Sequence, residues 1–178
     1  IDTSLLKPGK KENVIFYIGS FSRLTQLKGH EVLVESFRHV HKQYPGWKLV
    51  LAGGMGVGTT VEDIKALKRS AKNLPVELML NPSFVDIRKL CALGKIFWSA
   101  SGYSTDNPLK TEHFGITVVE AMSAGAVPII TNLGGYPEIV DHGRSGFLWD
   151  SLDQLEKLTL ELMTHETKLT TLSREAIT

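Results

Sequence analysis

Short, continuous apolar segments alternate with longer amphipathic segments along most of this 178-residue chain. The apolar segments are too short for helices and are bounded by glycine and turn residues, as buried parallel strands are. The longer segments repeat apolar residues at three- and four-residue intervals, which predicts helices. The predicted strands cover 13–20, 47–54, 76–80, 96–101, 127–131 and 146–149, and the predicted helices cover 30–44, 59–73, 85–94, 115–125, a short segment near 137–143, and two segments after 151.

This alternation predicts an α/β fold, a Rossmann-like three-layer sandwich with a mostly parallel sheet covered by helices on both faces. Ligands of such folds bind at the carboxyl ends of the strands, where loops lead into helices. We therefore expect functional residues in four loops, namely 19–29, 53–60, 81–85 and 99–120.

The length fits a single domain, which we expect to span 13–178 after a linker, 1–12, from a preceding N-terminal domain. No apolar segment approaches the roughly 20 residues of a membrane span. The only cysteine, Cys91, cannot form an internal disulfide, so we expect a cytoplasmic, reducing location. Its apolar neighbours favour a core position over a reactive thiol.

The formal net charge of +1 gives no reason to expect nucleic acid as a partner. The charge is unevenly distributed, because residues 1–50 contain eight lysines and arginines against four acidic residues, a local excess of +4. Such a bias suits a ligand that carries phosphate, although it does not require one.

Two of the four loops have the composition of an anion site. The first contains Gly19, Arg23 and Lys28 just before a predicted helix, where backbone N–H groups and cations bind phosphate, but a solvated cationic loop has the same composition. The second contains Gly53 and Gly54, which either let a ligand approach the backbone or only form a tight turn. Neither matches a dinucleotide or P-loop signature.

The third loop could present backbone groups of Phe84 and Val85 to a planar base, or could simply cap a helix at Ser83. The fourth loop contains Glu112 and leads through Gly115 into a helix of small residues that carries Glu120. The positive end of that helix would face the ligand region. By residue type alone, a capping or solvated role explains each glutamate as well as ligand binding does.

Three segments together resemble one enzyme family. "EHFGITVVE", with Glu112 and Glu120 eight residues apart, resembles the paired-glutamate signature of the retaining glycosyltransferases of group 1 (family 4). "SRLTQLKG" and "GGYPEIVDHGRSGFLWD" resemble two further motifs of that family, in order and with compatible spacing. His113 stands where proline is commoner in the family, and Ser22 where glycine is commoner.

The resemblance implies a role for each of these residues. Arg23, Lys28 and Glu112 would form the catalytic group, with the two cations on the donor diphosphate and Glu112 near the sugar. Glu120 would bind the ribose, and Phe84 with Val85 the base. The remaining donor contacts would come from Gly19, Gly53, Gly54, His113, Phe114, Gly115 and Ile116.

The resemblance also implies the C-terminal, donor-binding half of a GT-B enzyme that needs no cofactor and no metal. The donor would be a UDP- or GDP-linked sugar, with mannose transfer and polysaccharide biosynthesis among the family's activities. A glycan or lipid-linked acceptor would be held by the N-terminal half, and the full-length enzyme could touch a membrane surface. A non-catalytic nucleotide-sugar module and an NAD-dependent oxidoreductase are the alternatives.

Overall fold

The computed structural model describes residues 3–22, 28–103, 105, 107 and 110–177. Within these ranges six parallel strands form one sheet in the order β3-β2-β1-β4-β5-β6. The strands are β1 (Glu12–Ile18), β2 (Lys48–Gly53), β3 (Val76–Leu80), β4 (Gly94–Ser99), β5 (Val127–Thr131) and β6 (Phe147–Trp149).

The helices are α1 (His30–Gln43), α2 (Val61–Ser70), α3 (Phe84–Leu93), α4 (Ile116–Ser123), α5 (Leu152–Thr164) and α6 (Glu166–Ile177), with 3-10 turns at Thr3–Leu5 and Tyr136–Glu138. The predicted fold class is therefore confirmed. The short helix predicted near 137–143 is shorter and begins earlier, at Tyr136, because Pro137 suits the first turn of a helix.

Local sequence fixes where several helices begin. Thr60 and Ser83 each accept a hydrogen bond from the backbone N–H three residues on, and an aspartate at that position returns the bond. Ser151 caps α5 through the N–H of Gln154. Each side chain satisfies a donor that has no partner within its helix, and such a cap contributes about 1 kcal/mol.

The strand order creates a switch point between β1 and β4. From β1 the chain moves outward through β2 to β3, and from β4 it moves the other way to β6. Because crossover connections are right-handed, the helices that follow β1 and β4 lie on opposite faces of the sheet. The contacts agree, since α1 packs against α2 and α5 whereas α4 packs against α6. The loops after β1 and β4 therefore diverge and leave a crevice between them.

The core lies on both faces of the central strands. The last five residues of β1 and all five residues of β5 are buried, which explains their continuous apolar sequence. Cys91 is fully buried in this core, where burial raises the pKa of its thiol to about 12. The interpretation of Cys91 as a core residue is confirmed. No helix among the described residues is long and apolar enough to cross a membrane.

The segment before β1 stabilises two helix ends. The backbone N–H of Gly9 donates to Ala92 O at 3.1 Å. The Lys11 ammonium donates to Cys91 O at 3.1 Å, Gly94 O at 2.8 Å and Ala124 O at 2.7 Å. These carbonyls lie at the C-terminal ends of α3 and α4, where helices leave acceptors without partners. Whether this segment is a linker stays a prediction.

Replacing Lys11 by Met should lower the free energy of unfolding by about 1–3 kcal/mol, because three part-buried carbonyls lose a cationic donor. Urea denaturation followed by circular dichroism measures the loss. Lys10→Met is the matched control, since the Lys10 side chain is exposed and the same charge is removed one residue away. Equal losses in the two variants would contradict the capping role of Lys11.

Candidate functional site

An ion pair bridges the switch point of the sheet. Lys28 belongs to the loop after β1 and Glu112 to the loop after β4, and Lys28 Nζ lies 2.8 Å from Glu112 Oε2. The two side chains are only 13% and 16% exposed, so solvent screens the pair weakly. The structure thus brings together two of the three residues predicted to be catalytic. The third, Arg23, lies outside the described residues.

The second carboxylate oxygen of Glu112 faces the start of α4. Glu112 Oε1 accepts long hydrogen bonds of 3.4 Å from the backbone N–H groups of Phe114 and Gly115. Gly115 has φ 57, a left-handed conformation that favours glycine, and it directs the chain into α4 at Ile116. The carboxylate is therefore held between an ammonium group and the positive end of a helix.

The pKa of Glu112 reflects this environment. Burial alone would raise it, but the hydrogen bond and charge of Lys28, with the N–H groups of Gly115 and Phe114, lower it below its ordinary value of 4.5. Glu112 is therefore a carboxylate at neutral pH, and an acid–base role at that pH is not favoured.

A cleft of about 490 Å³ opens at the same edge of the sheet, at the ends of β1, β2 and β3. The predicted residues Gly19, Gly53 and Gly54 line it. Asn81 joins two of its walls, because its N–H donates to Gly53 O at 2.8 Å and its Oδ1 accepts from Met55 N at 2.8 Å. The other lining residues are Ile18, Ser20, Pro82, Ile87 and Thr117.

Glycine is required where these loops meet. A Cβ on Gly53 would overlap the carbonyl oxygen of Gly19, and a Cβ on Gly19 would overlap the Tyr17 ring and hydroxyl. The two glycines therefore allow neighbouring loops to pack at backbone distance. This explains the glycine content of both predicted loops without a ligand, although the surface they form is the wall of the cleft.

Glu120 lies one helical turn after Thr117 in α4. It is half-buried, and burial raises the pKa of its carboxyl. Its charge also raises the pKa of the Cys91 thiol in α3. The cleft is lined by Thr117 of α4 and Ile87 of α3, and Glu120 does not line it.

The glycine pair Gly134-Gly135 fixes the backbone beneath the ion pair. Gly135 N donates to Glu112 O at 2.9 Å. A Cβ on Gly134, which has φ 61, would overlap Glu112 O, and a Cβ on Gly135 would lie 2.5 Å from His113 O. These two glycines begin the third segment of the family resemblance. That segment therefore contacts the backbone of the loop that carries Glu112.

Four buried hydroxyl groups lie under the same loop. Tyr136 and Ser99 are hydrogen-bonded at 2.8 Å, and Tyr17 and Ser101 at 3.3 Å. Burial raises the pKa of both tyrosines well above the ordinary value, and the charge of Glu112 raises each further. Sequence reasoning missed this network. The sequence contained one indication of it, because Ser99 and Ser101 come at the end of the apolar run of β4 and buried polar groups need hydrogen-bond partners.

The remaining predicted residues lie around the cleft. Phe84 and Val85 open α3 with side chains that are 51% and 54% exposed, and their N–H groups stand at the helix start, where no intrahelical acceptor exists. His113, Phe114 and Ile116 are exposed on the Glu112 loop and the first turn of α4. Sequence reasoning overlooked Asn81 and Thr117, although Asn81 directly follows a predicted strand and precedes a proline.

Residues 4–178 match the family model of the glycosyl transferases group 1. The chain belongs to this family. The match covers nearly the whole sequence and includes all three segments on which the resemblance was based. Membership decides against the NAD-dependent oxidoreductase alternative.

Curated relatives include a GDP-Man:Man(3)GlcNAc(2)-PP-Dol alpha-1,2-mannosyltransferase from Dictyostelium discoideum, 27% identical over 94% of this chain and 34% of the relative. A D-inositol 3-phosphate glycosyltransferase from Corynebacterium jeikeium is 30% identical over 81% of this chain and 35% of the relative. The chain thus spans about a third of the length of these relatives.

Solved structures share the fold. The C-terminal domain of a glycosyl transferase group 1 family protein from Francisella tularensis superposes with a TM-score of 0.78 at 20% identity, over 99% of this chain and 94% of that domain. HepE of Anabaena, solved in complex with UDP and glucose, gives 0.80 at 21% identity, over 99% of this chain and 49% of that protein. The predicted fold, a Rossmann-like sandwich of the kind that forms one half of the GT-B fold, is confirmed.

Gly134→Ala should destabilise the chain more than Gly143→Ala, by about 1–3 kcal/mol in the free energy of unfolding. Both positions have positive φ, so both variants bear a similar backbone cost. Only at Gly134 would the added methyl overlap Glu112 O, whereas nothing lies within 4 Å at Gly143. Parallel urea titrations test this. Equal losses of unfolding free energy in the two variants would show that the loop that carries Glu112 moves away from the added methyl group at no energetic cost.

Glu112→Gln should lower the free energy of unfolding by about 1–2 kcal/mol at neutral pH. Because the folded pKa of Glu112 lies below 4.5, its contribution is present above that value and is lost as the pH falls through the folded pKa. The difference between wild type and variant should therefore narrow between pH 7 and pH 3, as urea titrations at several pH values can measure.

Glu35→Gln supplies the control for this pH series. Glu35 pairs with Arg38 on the surface, where its side chain is 53% exposed, and such pairs contribute about 0–1 kcal/mol. A Glu112→Gln difference that stays constant with pH would contradict the lowered pKa.

Proposed function

We propose that this chain binds a UDP- or GDP-linked sugar and forms the donor half of a retaining, metal-independent hexosyltransferase. One observation carries the proposal. In a member of the glycosyl transferases group 1, the Lys28–Glu112 pair, the N-terminus of α4 and a cleft of about 490 Å³ share one edge of a parallel sheet. Ligands of open α/β folds bind at this edge, and the related fold of HepE was solved with UDP and glucose.

The chemistry asked of this edge is electrostatic. Breaking the bond between the sugar and its phosphate leaves negative charge on the departing diphosphate and positive character on the sugar. Lys28, with Arg23 from the same loop, would stabilise the diphosphate together with the N–H groups at the start of α4. Fixed donors of this kind stabilise a leaving group without a metal ion.

Glu112 would face the sugar side of the broken bond. Its lowered pKa keeps it anionic, which suits a carboxylate that orients sugar hydroxyls and favours an oxocarbenium-like transition state. Lys28 is paired with Glu112 in this structure. An arriving diphosphate would therefore compete with Glu112 for Lys28 and free the carboxylate for the sugar.

The other donor contacts follow from position. Gly19, Gly53 and Gly54 would let the nucleotide approach the backbone of the cleft wall. Glu120, one helical turn after the cleft residue Thr117, would accept hydrogen bonds from ribose hydroxyls. Backbone groups of Phe84 and Val85 would bind the base. The residues His113, Phe114, Gly115 and Ile116 would contact the sugar and phosphate.

The acceptor would be a glycan or a lipid-linked glycan held by an N-terminal domain, and the chain alone would transfer sugar poorly. Two relatives are named for transfer to a -PP-Dol-linked glycan or to a diphosphopolyprenol, and both names give a mannose donor. Mannose transfer in polysaccharide or glycolipid synthesis is the activity we favour. The cytoplasmic location, and contact of the full-length enzyme with a membrane, belong to the same proposal.

Isothermal titration calorimetry of the chain with UDP and GDP should give binding of at least one of them. Lys28→Ala should weaken the nucleoside diphosphate by roughly 10-fold or more and the matching nucleoside little, because a charge-assisted contact to phosphate is lost. Glu120→Ala should weaken diphosphate and nucleoside alike, because the ribose is common to both.

Lys42→Ala is the matched control, since Lys42 is an exposed residue at the end of α1 and the same charge is removed. Absence of binding to either diphosphate would overturn the donor site. Equal weakening of nucleoside and diphosphate by Lys28→Ala would move this residue away from the phosphate.

A further inference from the structure

A second groove lies on the outer face of α3, away from the cleft. It has a volume of about 510 Å³ and runs between α3 and the segment that precedes β1. Ile87 of α3 lines the donor cleft, whereas Val85, Arg88, Lys89 and Ala92 line this groove. One helix, about 10 Å across, therefore separates the two. The proposed donor site shares one residue with the groove, Val85, and there uses only its backbone.

Among the residues that the structure describes, the charged residues lining the groove are all basic. They are Lys7 from the N-terminal segment and Arg88 and Lys89 from α3, each exposed. Arg88 Nε donates to Leu5 O at 2.8 Å, which fixes the segment against the helix and keeps the three cations together. The one acidic residue of α3, Asp86, accepts hydrogen bonds from Ser83 N and Ser83 Oγ at 3.0 and 2.7 Å.

Apolar side chains stand exposed among these cations. Leu5 is 47% exposed and Val85 54%, and Ala92 also lines the groove. Cations next to exposed apolar groups are typical of surfaces that lie at a membrane interface, where the cations meet phosphates and the apolar groups enter the acyl boundary. A site for one soluble anion would instead bury its donors around the ligand.

We propose that this groove, formed by Leu5, Lys7, Val85, Arg88, Lys89 and Ala92, binds the surface of a membrane that contains anionic phospholipids. The occupant is chosen by charge complementarity, since the described lining combines three cations with exposed apolar groups and no carboxylate. Contact here would hold the donor cleft one helix diameter from the lipid phosphates. The inference rests on the proposed function in so far as it places the membrane contact of that proposal at this groove, but its evidence is separate from that for the donor site.

Cosedimentation with vesicles tests the proposal. The chain should bind vesicles of phosphatidylcholine and phosphatidylglycerol in equal parts, and should bind pure phosphatidylcholine far less. Lys7→Gln with Lys89→Gln should weaken binding to the anionic vesicles roughly 10- to 30-fold, at about one decade or less per lysine. Added salt should weaken the wild type more than this double variant, because fewer charges remain to be screened.

Lys68→Gln with Lys72→Gln is the control for net charge. Both lysines are exposed, and they lie in and just after α2, on the opposite face of the sheet. This variant should bind anionic vesicles as the wild type does. Circular dichroism verifies that both double variants are folded, and neither changes a residue of the donor site.

Two results would overturn the inference. One is a failure of specificity, either equal binding to neutral and anionic vesicles or equal weakening of binding by both double variants. Either observation would show that vesicle binding does not depend on the cations of this groove. The other is displacement of the chain by soluble glycerol phosphate at the concentration of the lipid phosphate, which would make the groove a site for a free anion. Nucleotide titration without vesicles is unaffected by either outcome, so the donor site is tested separately.

Discussion

The contact between Lys28 and Glu112 joins the two halves of this fold at the one place where they diverge. β1 and β4 are neighbours in the sheet, but the chain leaves them toward opposite faces. A cation from the first loop and a carboxylate from the second meet across the resulting crevice at 2.8 Å. Every proposed donor contact is arranged around this point, since α4 starts beside Glu112 and the cleft opens beside the loop that follows β1.

Such a pair is useful to a binding site because it is already assembled. Both charges are mostly removed from water, so part of the desolvation that a diphosphate would require has been met during folding. The pair also keeps each group in a definite charge state. In the proposed function, an incoming anion would replace a carboxylate as the partner of Lys28.

Local signals explain why so much of the fold was predictable. Thr60, Ser83 and Ser151 cap helices through bonds that span three residues, and the buried strands are recognisable as apolar runs. The site depends instead on distant contacts. Lys28 and Glu112 are 84 residues apart, and no periodicity indicates that they meet. Family resemblance named these residues, but only the strand order explains why they are close.

Gly134 lies close to the carbonyl of Glu112. In the loop that carries Glu112, different residues therefore determine the path of the backbone and the side chains at the surface. The path of the backbone is set by a residue without a side chain, which lies outside the loop it supports. The side chains of His113 and Phe114 are exposed, and the glycine pair meets this loop at its backbone. Substitution of these side chains would therefore leave the backbone path beside Glu112 unchanged, so that the proposed preference among sugars could change while the proposed diphosphate contact is retained.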